Sequence, residues 1–165
     1  MFDPFFAWLE STALRVWLVE SPSRFALPGI LAAHTIGLGL LAGLTAALDL
    51  RLLGVAAEVP TIAFTRFLPV MKFGLWLNVL TGLALLLAYP TKALTNPVFY
   101  LKLSLILGGL LMLRATLQRV EEGPTISGRT KLLAAASLVV WAAAITAGRL
   151  LAYTCTRLVV DTPCE

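Results

Sequence analysis

His34 is the only histidine in the chain, and it sits inside an uncharged stretch, residues 25–48. At about 1.5 Å per residue that stretch can cross a bilayer core of roughly 30 Å, and the histidine falls about 14 Å from its start. Ionisable groups at such a depth are scarce and usually carry function. An imidazole there can ligate haem iron, hold a proton, or hydrogen-bond across helices. Gly37, one turn on, would let a flat macrocycle approach the backbone. His34 and Gly37 are therefore the candidate haem b site, with His34 as axial ligand to the iron. The second ligand is the difficulty, because Met71 and Met112 fall at the wrong depth and no other histidine exists. A bis-histidine haem would need a second copy of the chain or another subunit, and a five-coordinate haem is the alternative.

The remaining candidates are charged or thiol groups. Asp49 falls at the C-terminal end of the same stretch, where the helix macrodipole disfavours an anion. The expectation is an ion pair with Arg66, Lys72 or Arg114, and the sharper alternative is a proton-path carboxylate. Arg51, two residues on, cannot face Asp49 on a helix. Lys102 and Arg149 each lie a short way inside an apolar helix. They are expected to snorkel to the surface along their stems, and the alternative for each is to point inward and meet an acid such as Glu20 or a haem propionate. Cys155 and Cys164 in the C-terminal tail could form a disulfide in an oxidising compartment, and without a nearby histidine they make a poor metal site. There is no P-loop, no G-x-G-x-x-G, no H-E-x-x-H and no nucleophile elbow. No catalytic constellation emerges, and a non-enzymatic role is expected.

These groups must be positioned by elements built for lipid. The 165-residue chain is 59% hydrophobic and 13% charged, against about a quarter charged in soluble domains. The fold class expected is all-α: one integral-membrane four-helix bundle with an N-terminal amphipathic interfacial helix. Residues 3–20 place Phe5, Leu9, Ala13, Val16 and Val19 at helical spacing beside Trp8 and Trp17, with charges recurring too often for a span. The spans are expected at 25–48, 69–89, 97–116 and 131–153, with connecting segments at 52–66 and 118–130. In the first span Ala32, Thr35, Gly39, Gly43 and Ala46 form a small-residue stripe containing G-x-x-x-G, and Ala144 and Gly148 offer the same spacing in the fourth. Such residues let helix backbones approach closely in lipid. Packing within the chain is the expectation for them, and packing against a neighbouring subunit the alternative.

The net charge of +4 is spread along the sequence. Spread basic residues suit headgroups, and no nucleic-acid partner is expected. Residues 1–20 lack the basic start of a cleavable signal peptide. The densest basic loop, with Arg114, Arg119, Arg129 and Lys131, is assigned to the cytoplasm, which puts both termini in the periplasm. Tyr89, Phe99, Tyr100 and Tyr153 would then form an outer aromatic belt.

Several short motifs carry a family resemblance. They are Phe5, Trp8, Leu9, Glu10 and Ser11, then Glu20 and Ser21, His34-x-x-Gly37, and the run Asp49, Leu50, Arg51, Leu52, Leu53, Gly54. Thr81 with Gly82, and Asn96, Pro97, Phe99 and Lys102, complete them. On these the chain resembles a group of uncharacterised small four-helix proteins of the bacterial inner membrane. More distantly it is similar to four-helix units of copper-resistance membrane proteins and of b-type membrane cytochromes. The resemblance implies the fold and the location. It would also imply a histidine near the end of the third span, where this chain reads Leu111, Met112, Leu113, Arg114, Ala115. Function is accordingly expected to be that of a small subunit of a larger membrane complex in an electron-transfer setting. Its partners would be the lipid bilayer and other membrane subunits or a second copy of itself. A b-type cytochrome with His34 as ligand is the alternative, and a transporter or copper-handling protein the weaker one.

Overall fold

The computed structural model describes residues 8–9, 11–122 and 126–153. They form helices: α1 (Ala13–Glu20), α2 (Leu27–Leu53), a 3-10 helix (Thr61–Phe67), α3 (Leu68–Ala88), the short α4 (Pro90–Leu94), α5 (Pro97–Glu122) and α6 (Gly128–Tyr153). Four of the helical stretches, beginning at Leu27, Thr61, Pro97 and Gly128, are long and apolar enough to cross a membrane. The chain is thus a multi-pass membrane protein by its own hydropathy. The tail cysteines Cys155 and Cys164 lie outside the described residues.

The helix ends follow local backbone chemistry more than hydropathy. α2 runs five residues past the expected end at residue 48, through Asp49 and Arg51, and stops only at Gly54, whose φ of 109° is left-handed. That conformation favours glycine and terminates helices. Pro28 falls in the first turn of α2, where its missing N–H costs little. Asn96 starts α5 by accepting the Val98 N–H at 2.9 Å through its side-chain oxygen, and Ser127 Oγ accepts the Thr130 N–H at 3.2 Å to start α6. The segment before α2 differs from the continuous helix expected over 3–20. A turn at Ser11 and Thr12 precedes α1, with both hydroxyls donating back to the Trp8 and Leu9 carbonyls at 2.8 and 2.7 Å. Such local bonds compete with helix continuation.

α2 is the central element. It packs against α3 on one side and α6 on another, and α6 packs on α5. α3 and α5 barely meet, although the 3-10 helix touches both near one end of the bundle and α4 touches both near the other. The core runs along the α2, α5 and α6 faces, with Leu48, Leu52, Leu113, Val120, Ala134 and Trp141 buried in it.

The close approach of α2 to α3 is made by Gly37 and Gly74. A Cβ on Gly37 would lie 2.9 Å from the Gly74 carbonyl oxygen, and one on Gly74 would lie 2.9 Å from the Gly37 carbonyl oxygen. Backbone therefore touches backbone at this crossing, as small residues permit in membranes. The stripe of Ala32, Thr35, Gly39, Gly43 and Ala46 is not part of any contact of this kind. Ala32, Thr35, Gly39 and Gly43 are exposed and Ala46 is half-buried, and nothing lies within 4 Å of a Cβ built on Gly39 or Gly43. Packing within the chain, expected for this stripe, is corrected here: α2 spends its other faces on α3 and α6. In α6, Ala144 is buried in the bundle.

Candidate functional site

His34 is anchored by two polar residues of α3. Its Nδ1 lies 2.9 Å from Thr81 Oγ1. Thr81 Oγ1 also lies 2.6 Å from the Leu77 carbonyl, and when its hydroxyl proton is donated there the His34 contact is one in which Nδ1–H donates and Nε2 is the unprotonated nitrogen. Asn78, one turn before Thr81, donates from Nδ2 to the His34 carbonyl at 2.9 Å. Thr81 and Asn78 thus tie α2 to α3 beside the Gly37–Gly74 crossing. Gly82 leaves space for the ring, since its Cβ would lie 3.5 Å from His34 Cε1.

Lys102 of α5 faces the same region from the other helical hairpin. Its stem and ammonium lie over Gly148 of α6, where a Cβ would come within 3.5 Å of both Cε and Nζ. Glu20, a partner considered for Lys102, pairs instead with Arg15 at 3.6 Å. Arg149 is exposed on α6. One half of the bundle therefore brings together one imidazole, one cation, and two glycines that keep space beside them. An oriented Nε2 can accept a hydrogen bond, take a proton or ligate a metal.

Fit to a haem is mixed. The Thr81 contact at Nδ1 suits an axial ligand, since ligating histidines have their other ring nitrogen held by an orienting group. The room expected beside Gly37 is filled by Gly74 and Asn78, so that glycine serves helix packing. Met71 and Met112 each stand ten residues from a member of this site, Thr81 and Lys102, or about 15 Å along their helices. Among the described residues no group of three His, Cys, Asp or Glu side chains could hold a metal ion.

A second polar layer lies in the other half of the bundle. Asp49 is 1% exposed and Thr45, Thr116 and Ser137 are wholly buried. The ion pair expected for Asp49 is not formed. Its carboxyl faces Ser137, yet Asp49 Oδ2, Ser137 Oγ, Thr116 Oγ1 and Trp141 Nε1 all lack a hydrogen-bond partner among the described residues. The cations proposed for Asp49 lie elsewhere. Arg66 stacks on the Phe67 ring at 5.2 Å, and Lys72 and Arg114 line a groove between α3 and α5. The reason is rotational: Asp49 lies on the α2 face turned toward α6, away from those groups. Arg51 donates from Nε to the Val59 carbonyl and from Nη2 to the Ala57 carbonyl at 2.6 Å, so it holds the segment after α2.

Asn78, Gly74, Thr116 and Ser137 were not singled out in the sequence. Asn78 and Thr81 had a readable signal, as two polar residues three apart in an otherwise apolar span. Thr116 and Ser137 had none that separates them from the hydroxyls that bond back to their own helices, as Thr35 and Thr146 do. Comparison of the chain with protein-family models, with curated proteins and with solved structures finds no match.

Proposed function

We propose that this chain is a non-catalytic subunit of a larger complex in the bacterial inner membrane, with both termini in the periplasm, working by helix packing. The observation that carries this reading is the outward stripe on α2. A G-x-x-x-G face with Thr35 and Ala32 above it lies open along a spanning helix. Small-residue faces are how spanning helices associate, because lipid supplies no hydrophobic drive between them. The segment around α1 adds a second docking element as an amphipathic helix on the membrane surface. Trp8, Leu14 and Trp17 are about half exposed or more while Leu18 is buried. An electron-transfer setting rests on the resemblance to b-type cytochrome units.

The test is association in mild detergent. Wild-type chain, extracted gently from its native membrane, should co-migrate with partner subunits on a native gel. Gly39→Leu and Gly43→Leu should release it while the isolated chain keeps its helicity. Association unaffected by both substitutions would overturn the reading.

A second reading has its own observation. Thr81 holds His34 at Nδ1, so Nε2 is the nitrogen that would bind haem b, with the other axial position filled by another chain. A reduced-minus-oxidised spectrum of the natively purified protein should then show a b-type band that His34→Ala abolishes. Absence of any band from a preparation that retains its partners would remove this reading.

A further inference from the structure

The weak meeting of α3 and α5 leaves a groove between them, floored by Leu41 of α2 and walled by residues that include Met71 of α3 and Leu113 of α5. Its volume is about 280 Å³. A recess of that size takes a segment of one extended hydrocarbon chain along its floor. The groove is not uniformly apolar. Lys72, Arg114 and Gln118 also line it. Arg114 and Gln118 are one turn apart on α5, and Lys72 lies in the first turns of α3, so the polar groups belong to one end of the bundle. Among the described residues no acid lines the groove, and neither Lys72 nor Arg114 forms an ion pair with one. An apolar trough ending in two cations and an amide complements an amphiphile with an anionic head.

We propose that this groove is a binding site for one anionic glycerophospholipid of the phosphatidylglycerol class. An acyl chain lies along Leu41, Met71 and Leu113, and the phosphate is held by Lys72 and Arg114 with Gln118 as a further donor. Juxtamembrane cations attract anionic lipid, and basic recesses between spanning helices hold such headgroups. The arginine fork suits phosphate oxygens in particular. The site is on a different face from the α2 stripe and does not depend on any partner subunit.

Native mass spectrometry and thermal unfolding of the full chain in neutral detergent test this. The additions are phosphatidylglycerol, phosphatidylcholine of the same acyl chains, and inorganic phosphate. The expected result is one retained phosphatidylglycerol per chain and a rise in unfolding temperature that phosphatidylcholine and phosphate do not give. Lys72→Gln with Arg114→Gln should weaken retention by about tenfold or more, and Leu110→Trp, which fills the groove without touching a charge, should also displace the lipid. Arg129→Gln with Lys131→Gln, an equal loss of charge off the groove, should retain it. Equal binding of both lipids, a matching shift with phosphate alone, equal loss in the control pair, or a dimer formed through this face in place of lipid would each overturn the proposal.

Discussion

Gly37→Ala is the perturbation whose cost the structure fixes most closely. The added Cβ would lie 2.9 Å from the Gly74 carbonyl oxygen and 3.1 Å from the Asn78 nitrogen. Carbon–oxygen contacts between packed helices settle at about 3.3–3.6 Å, so α2 and α3 must separate by about half an ångström. Both obstacles are backbone and cannot swing aside. Overpacking of this kind costs about 1–3 kcal/mol. The separation also stretches the Asn78–His34 carbonyl bond, and interhelical bonds in membranes contribute about 0.6–1.7 kcal/mol. Against this, alanine gains up to about 1 kcal/mol over glycine within a helix. The net expectation is a loss of about 1–3 kcal/mol. Gly39→Ala, only two residues away, meets nothing within 4 Å and should keep the propensity gain, so it is neutral or stabilising in the isolated chain. The pair should be compared by reversible SDS titration of the purified protein in mixed micelles, followed by circular dichroism. Equal stability of Gly37→Ala and wild type, or a larger loss from Gly39→Ala, would refute the α2–α3 crossing described above.

Thr81→Val removes the hydroxyl that holds His34 Nδ1 while keeping the side-chain volume. It should cost about 0.6–1.7 kcal/mol in the same titration, and the imidazole NMR signals should show exchange between tautomers. Asp49→Asn should leave stability unchanged or raise it, because no cation among the described residues compensates the carboxyl and a buried charge without a partner is costly. A marked loss on thermal unfolding would show that a charge-dependent partner holds it. Gly54→Ala forces a side chain into a φ of 109° and should destabilise by about 1 kcal/mol or more, measured as a lowered unfolding midpoint and faster proteolysis of the segment after α2.

The existence, order and approximate bounds of the four long helices were legible because each is an apolar run of spanning length, interrupted by charge, proline or glycine. Their ends were less so. Hydropathy stops counting at Asp49, whereas the α2 hydrogen-bond ladder continues until Gly54 breaks it. The glycines divided in the same way. Spacing made Gly39 and Gly43 the obvious contact pair, but Gly37 and Gly74 make the contact. Periodicity marks which residues share a face and is silent about which face meets a neighbour. That choice is set by the rotation of α2 between two partners. The same rotation turns Asp49 to Ser137 of α6. His34 was legible as a site because it is the lone ionisable group in the apolar run 25–48. Its partners lie 44 and 47 residues away on another helix, a separation that the pattern within one helix cannot encode.

The central claim is that the open face of α2 is a subunit interface. It is tested most directly by placing a photoreactive amino acid at Thr35 or Gly43 and irradiating intact native membranes. Leu107 of α5 and Val139 of α6, 59% and 68% exposed, serve as exposed control positions. The account predicts a discrete cross-linked product from the two α2 positions and none of the same mass from the controls. Lipid adducts alone from Thr35 and Gly43, or the same product from all four positions, would contradict it.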